Sequence, residues 1–303
     1  MRKIKHFLWD YKISFFVMCI FLMGCMKGTY QMNLTFLLRQ ITYLTFLTIG
    51  ASIEMMSGDF DLAFAAQISA STVTAAYLIT LGVPIWAACG AIVVLNALLG
   101  CLKGILLTRY RMPSIIVTLA LQVILLNLFS GIFPEDKINF LKIYRYFGSG
   151  VMEYVFGGLL ILSVLGVFFF LNYTYYGKYC RMLGENMVLA EKSGLNIQAV
   201  SMIIHMASSL FFSIPAIGIM LYTGSGNSYM GANYLYKVLA AVCLGGIGYR
   251  NGKGKVSGMV IGAVTMVVLL MMLTSGGYLK RFEIIIEGII ILFFLGTGKK
   301  VKT

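Results

Sequence analysis

Long runs of apolar residues recur along this chain of 303 residues, and they restrict its fold more than any other feature. A helix of roughly 20 apolar residues crosses the hydrocarbon core of a bilayer. Ten runs approach that length, although the short run at 236–247 is also compatible with a re-entrant segment. We therefore predict an all-α, polytopic integral membrane protein with about ten transmembrane helices, between eight and ten. The candidate spans are 13–26, 34–56, 62–82, 84–107, 113–132, 152–172, 200–222, 236–247, 256–274 and 282–297.

The composition leaves no room for a soluble domain beside these spans. Hydrophobic residues make up 59% of the chain and charged residues only 12%, which is too apolar for a protein in water. The longest gaps between spans are 133–151 and 173–199, so residues 1–303 are predicted to form a single transmembrane domain. The runs are longer than strands and lack the alternating pattern of an outer-membrane barrel, which excludes that class.

Lysine and arginine residues are distributed unequally over the connecting segments. With the N-terminus inside and ten crossings, the inner side carries twice as many of these cations as the outer side. The positive-inside rule then places both termini and the 173–199 loop in the cytoplasm of a multi-pass protein of the cell inner (plasma) membrane. In this count Lys103 belongs to the inner side and Lys237 to the outer side. Because the cations behind the net charge of +13 are scattered, we do not expect nucleic-acid binding.

Cysteine and histidine residues give no support to a metal or catalytic site. The six cysteines lack C-x-x-C spacing and mostly lie in apolar runs, so we interpret them as packing residues. The two histidines have no partner four residues away, and His205 is interpreted as a hydrogen-bonded packing residue. The L-M-G-C sequence ending at Cys25 imitates a lipoprotein signal, but further spans follow it at once, so we expect an uncleaved first helix. No catalytic residue and no metal is predicted, and a membrane-embedded enzyme is the least favoured class.

The polar sequence S-G-D-F-D at 57–61 interrupts what would otherwise be one apolar run from Leu34 to Ile79. Glycine and aspartate are poor helix formers, so we predict a helix break here, with Asp61 capping the next helix. The alternative is a break that lines a substrate path or gate, and the nearby carboxylate of Glu54 favours it. Small residues at 240–248 predict close helix contact or a thin re-entrant turn. The candidate translocation or gate residues are Glu54, Ser57, Gly58, Asp59, Asp61, Gly245 and Gly246.

Two carboxylates in the last span, Glu283 and Glu287, lie four residues apart and therefore on one helix face. Lys280 and Arg281 precede them, so a local ion pair is the simpler interpretation and a proton relay the sharper one. Together with Glu54, these are the carboxylates that an ion-gradient-driven secondary transporter would use. The sequence is therefore also compatible with that class of transporter.

The segment from Tyr173 to Asn196 is polar, although long apolar runs flank it on both sides. Its cap and turn residues enclose Met187–Lys192, which is long enough for one or two helical turns. One interpretation is a plain connector. The other is a short helix that docks on a cytoplasmic ATPase, because exposed Met187, Val188 and Leu189 suit a docked surface. The candidate coupling residues are Gly184, Asn186, Met187, Ser193, Gly194 and Asn196.

Three segments resemble motifs of one transporter family. The sequence G-E-N-M-V-L-A-E-K-S-G-L-N at 184–196 resembles G-G-N-E-A-A-x-x-S-G-I-N, and S-G-D-F-D-L-A at 57–63 resembles S-G-G-I-D-L-S. The segment 240–254 is similar to A-A-V-x-L-G-G-x-x-x-x-x-G-K-G. All three occur in the permease subunits of ATP-binding-cassette importers for sugars of the ribose type, and the resemblance runs from about 34 to 295. The chain departs from the family at Met187-Val188-Leu189, which replaces Glu-Ala-Ala, and at Lys237, where an acidic residue is common.

This resemblance implies a protein that supplies a pathway for a sugar or related small polar solute and performs no chemistry itself. No cofactor is expected on the chain, because ATP would bind to partner ATPase subunits in the cytoplasm. A second copy of the permease, or a related chain, would complete the channel. An extracytoplasmic binding protein would deliver solute to outer loops such as 133–151 and 223–235. The helix within 184–196 would carry the movement of the ATPases into the spans.

Overall fold

The computed structural model describes residues 11–26, 34–133, 137–140, 151–249, 252–275 and 282–297. This part of the chain is helical almost throughout, which confirms the predicted all-α, polytopic class. Its helices are α1 (Lys12–Met26), α2 (Leu34–Met56), α3 (Phe64–Thr80), α4 (Ile85–Arg109), α5 (Ser114–Ile132), α6 (Val151–Tyr173), α7 (Tyr175–Lys192), α8 (Ile197–Thr223), α9 (Leu235–Leu244), α10 (Val256–Ser275) and α11 (Glu283–Thr297).

Each predicted span corresponds to one of these helices, but the helices differ in length. Six contain a segment long and apolar enough to cross a membrane, namely those in α2, α4, α5, α6, α8 and α10. The helix α9 has only ten residues. Ten residues rise about 15 Å along a helix axis, roughly half of the hydrocarbon thickness. The number of complete crossings therefore remains a prediction.

The segment between α8 and α9 packs against α3. The chain turns back along α3 after Thr223, and a Cβ atom added to Gly226 would meet the Thr72 carbonyl. Further on, the Gly231 N–H donates a hydrogen bond of 2.9 Å to the Ser69 hydroxyl. Part of the predicted outer loop 223–235 is therefore buried against the bundle. The helix α9 follows this segment and is buried from Val238 to Leu244.

The contact between α4 and α8 is the most extensive contact between two helices in the described part of the chain, and the two backbones lie close together. A Cβ atom added to Gly100 would lie 2.5 Å from the His205 carbonyl oxygen, and one added to Gly104 would lie 2.6 Å from the Met202 Cα. Small residues that let two backbones approach are typical of helix packing in membranes. The central helix α2 packs against α8, α9 and α10, and is buried almost continuously from Thr42 to Met56.

The side chains of α5 and α6 that point away from the bundle are large and apolar. Ile116, Val123, Leu162 and Phe169 are each more than half exposed. Such a surface is stable only against hydrocarbon or another protein, as expected of a protein with several membrane passes.

The polar segment 173–199, predicted as a loop with a short helix at Met187–Lys192, is mostly helix α7. Thr174 caps its start, because its hydroxyl accepts a hydrogen bond of 3.1 Å from the Gly177 N–H. Asn186, with φ −161° and ψ 98°, is the one residue that interrupts the helical backbone, and the short predicted helix follows it. The first half is helical because Cys180 and Leu183 are buried against the bundle.

Two strands of three residues are the exception to the helical fold in the described part of the chain. The strand β1 (Lys137–Asn139) pairs antiparallel with β2 (Ser225–Asn227), and Lys137 lies opposite Asn227. The two predicted outer loops therefore meet. The rest of the 133–151 loop lies largely outside the described residues.

Candidate functional site

We define the helix break as residues 57–63, between α2 and α3. Its second residue is a glycine in the left-handed conformation. Gly58 has φ +97°, a conformation that glycine adopts without steric cost. The Ser57 hydroxyl and the Asp59 N–H both donate to the Glu54 carbonyl, at 2.7 and 3.0 Å. These bonds satisfy a carbonyl at the end of α2 that the break would otherwise leave open. The predicted break is therefore present and ordered.

Asp61 has two partners in the structure. Its Oδ1 accepts a hydrogen bond of 2.7 Å from the Ala63 N–H, just before α3 begins at Phe64. The predicted cap is therefore wrong: Asp61 closes a turn ahead of α3, whose N-cap residue Ala63 has no side-chain cap. Its Oδ2 lies 2.6 Å from Lys103 Nζ, a contact that the sequence did not reveal.

Lys103 corrects the sequence analysis. We counted it with the cytoplasmic cations, but its side chain is wholly buried between Glu54 and Asp61. The Lys103–Glu54 distance is 2.8 Å. A buried ammonium group requires a counter-charge. The position of Lys103 inside the apolar run C-L-K-G-I-L-L therefore indicated a buried ion pair. We call Glu54, Lys103 and Asp61 the buried triad.

His205 on α8 is hydrogen-bonded, in line with its interpretation as a packing residue, and it also faces the break. Its Nδ1 lies 2.9 Å from the Ser201 carbonyl oxygen, and its Nε2 lies 3.5 Å from Asp59 Oδ2. The break is also bonded to α5, because the Phe60 N–H donates to Ser114 Oγ at 3.1 Å.

The elbow, which we define as residues 184–196, packs on the end of α2 at its first residue. A Cβ atom on Gly184 would collide with the Met56 carbonyl oxygen. One turn earlier in α7, the Cys180 thiol donates to the Ile53 carbonyl at 3.4 Å. Burial raises the pKa of this thiol to about 12. The first half of α7 is therefore held against the last two turns of α2.

The rest of the elbow is exposed, apart from Ala190, which is buried, and Leu195, which is half-buried. The Leu189 N–H donates to Asn186 Oδ1 at 3.0 Å, so Asn186 caps the short helix that follows it. Ser193 ends that helix and Gly194 turns the chain with φ +82°. Asn196 caps α8 by accepting from the Ala199 N–H at 3.1 Å. The apolar side chains of Met187, Val188 and Leu189 are 43%, 60% and 60% exposed.

A cavity of about 710 Å³ lies between the elbow, the helix break and the α4–α5 turn. The Arg111–Glu191 ion pair, 2.8 Å long, joins the α4–α5 turn to the elbow. The cavity brings part of the two predicted sites together, since its lining includes Ser57, Gly58, Asp59, Gly184, Asn186 and Met187.

Other predicted gate residues lie elsewhere. Glu54 and Asp61 are not among the cavity-lining residues, because they are paired with Lys103 in the protein interior. Gly245 lies at the contact between α9 and α10, where an added Cβ would be 2.5 Å from the Gly258 carbonyl oxygen. Gly246 follows it in a left-handed turn. The small residues at 240–248 therefore serve close helix contact.

Glu283 in the last span forms an ion pair of 2.7 Å with Lys237 of α9. The predicted partners Lys280 and Arg281 lie outside the described residues. Both Lys237 and Glu283 line a second cavity, of about 220 Å³. Within the described part of the chain, no three metal-ligating side chains meet.

Comparison with known proteins matches residues 33–295 to the family described as the permease component of branched-chain amino acid transport systems. The ribose import permease protein of Escherichia coli K12 is 24% identical over 267 residues, covering 86% of this chain and 83% of the relative. The fructose import permease protein of Bifidobacterium longum is 25% identical over 300 residues, covering 93% and 88%. The galactose/methyl galactoside import permease protein of Escherichia coli K12 is 25% identical over 286 residues, covering 86% and 84%. No solved structure gave a significant match.

Proposed function

Because this chain belongs to the family of permease components of branched-chain amino acid transport systems, we propose that it conducts a sugar or a related small polar solute. It is the permease subunit of an ATP-binding-cassette importer, a multi-pass protein of the inner membrane. The ribose, fructose and galactose named for its relatives are all neutral, polyhydroxylated molecules. A neutral polar solute of this kind is the cargo that we assign to this permease.

The coupling to ATP is assigned to the elbow. The elbow faces the helix break across one cavity, and this arrangement supports the assignment. Met187, Val188 and Leu189 present an apolar surface that is about half exposed in the described part of the chain. A cleft on a cytoplasmic ATPase subunit would bury that surface. ATP binding and hydrolysis belong to that partner, and this chain transmits the resulting movement.

Two further partners complete the importer. A second permease, either another copy of this chain or a related one, would share the pathway. A solute-binding protein would dock on the face opposite the elbow, near the β1–β2 pair. Alternating access then requires that the two sides of the membrane are never open to the solute together.

An ion-gradient-driven mechanism has less support. Of the three carboxylates that it would use, Glu54 is bound by Lys103 and Glu283 by Lys237. An importer driven by ATP also agrees with the family assignment.

Reconstitution with the partner ATPase and the binding protein tests this function. Uptake of labelled ribose, fructose or galactose into liposomes should require ATP, and ATP hydrolysis should rise when the loaded binding protein is added. Replacing both Val188 and Leu189 with Asp should abolish uptake, because charged side chains would prevent docking of the ATPase. Thr80→Asp at the other end of the bundle, also an exposed position, is the matched control. ATP-independent uptake driven by a proton or sodium gradient would contradict the proposal.

A further inference from the structure

The buried triad stands directly behind the place where the elbow contacts the bundle. Gly184 rests on the carbonyl of Met56, at the last residue of α2, and Cys180 bonds to Ile53 one turn earlier. Glu54 lies between Ile53 and Met56 on the same turn of helix. A force applied to the elbow therefore reaches the residue that carries the first carboxylate of the triad.

Lys103 lies on α4, and its side chain joins this turn of α2 to the helix break. Its Nζ donates to Glu54 at 2.8 Å and to Asp61 at 2.6 Å. The two carboxylates flank the break, one before it and one near its end. The same Nζ lies 5.5 Å from the centre of the Phe212 ring on α8. One side chain thus contacts α2, the end of the break and α8 from its position on α4.

Two hydrogen bonds between the break and α5 join neutral groups. Ser114 and Thr118 of α5 bond to the backbone of Phe60 at 3.1 and 3.0 Å. Hydrogen bonds between charged partners are shorter and stronger, especially where water is excluded. The triad is therefore a stronger connection between the break and the bundle than these two bonds.

Stability alone does not explain the triad. Burying three ionisable side chains is costly, and apolar side chains of similar volume often replace such groups without loss of stability. The cost is visible here, because Glu54 Oε2 has no hydrogen-bond partner within the described part of the chain. A costly polar connection at this place indicates a requirement other than packing.

We infer that Lys103 is a positioning residue for transport, which makes the helix break and α4 move as one body when the ATPase acts on the elbow. The inference rests on the proposed importer function. Without the triad, the elbow would still be driven by the ATPase, but the end of α2 would move independently of α4 and α8. ATP would then be hydrolysed without a matching movement of solute.

The test uses the reconstituted importer and the ratio of sugar transported to ATP hydrolysed. The variant E54Q/K103M/D61N replaces all three ionisable side chains with neutral ones of similar volume. We expect this ratio to fall by about tenfold, while stimulation of ATP hydrolysis by the binding protein persists. A merely structural defect would lower the number of active complexes, so that uptake and hydrolysis would fall together and leave the ratio unchanged.

Three further variants keep the outcome decisive. Thr48→Val is the matched control, because Thr48 is also buried in α2 and its hydroxyl donates to the Leu44 carbonyl of its own helix. E54Q and D61N, each made alone, leave Lys103 with one carboxylate, and we expect a smaller fall in the ratio. A wild-type ratio in the triple variant, or in both single variants if the triple variant does not accumulate, would overturn the inference. If wild-type protein shows no ATP-dependent uptake, the proposed importer function is wrong, and the inference that rests on it is wrong as well.

Discussion

The backbone of Gly184 in α7 lies against the carbonyl group of Met56 at the end of α2, with no space between them for a side chain. A Cβ atom added to Gly184 would also lie 2.9 Å from the Met56 carbonyl carbon and 3.0 Å from the Gly252 nitrogen. All of these neighbours are backbone atoms, which cannot rotate aside as a long side chain can. The elbow and the end of α2 are therefore in direct contact through their main chains.

Gly184→Ala should separate these two segments. The methyl group must displace α7 from α2, so we expect ATP-driven uptake to fall by at least about tenfold. The measurement is sugar uptake in proteoliposomes, corrected for the amount of inserted permease. Gly158→Ala in α6 is the control, because a Cβ atom there meets nothing within 4 Å. Equal uptake by the two variants would show that the contact does not matter for transport.

The sequence predicts the helices well and the polar contacts between them poorly. Apolar runs mark every helix except α7 because burial in lipid requires them, and motif resemblance singles out Gly184 and Asp61. Neither signal tells what these residues touch. Lys103 was missed because we counted this single cation, which lies inside an apolar run, with the residues of the cytoplasmic loops. The first half of α7 was missed because its buried face is narrow, formed by residues such as Cys180 and Leu183 within a polar sequence.

The grouping of the connecting segments supports the predicted topology. The break at 57–63, the α4–α5 turn and the elbow surround one cavity, and all three are assigned to the cytoplasm by the positive-inside rule. The β1–β2 pair joins two segments that are assigned to the outer side.

Two single-cysteine labels can test this topology. Val188→Cys should react with a membrane-impermeant maleimide only from the cytoplasmic side, and Leu81→Cys only from the outside. Both positions are exposed, at 60% and 63%. Adding the ATPase should protect Val188→Cys and leave Leu81→Cys reactive. Labelling of Val188→Cys from outside would reverse the orientation and remove the elbow from any cytoplasmic ATPase.

Cys180 should be inert towards the same reagent. Burial raises the pKa of its thiol from 9.0 to about 12, so that almost no thiolate exists near pH 8. Between about pH 9 and 12 the unfolded thiol releases its proton while the folded thiol keeps it. The folded state should therefore lose stability as the pH rises through this window. Mass spectrometry of labelled peptides measures how far Cys180 reacts, with Val188→Cys as the reactive control. Modification of Cys180 in the folded protein would contradict its burial.

The ion pair between Lys237 and Glu283 should hold α11 against α9. The two side chains are 26% and 19% exposed, and the pair spans 2.7 Å. Lys237→Met leaves the carboxylate of Glu283 partly buried without this partner, so we expect the free energy of unfolding to fall by about 2 kcal/mol. The double variant K237M/E283Q removes both charges and should recover most of this loss, because no charge is left unpaired. The melting temperature in detergent, compared among the two variants and wild type, measures both effects. If the double variant melts as low as Lys237→Met, the loss comes from packing of the Lys237 stem and the charge pairing contributes nothing.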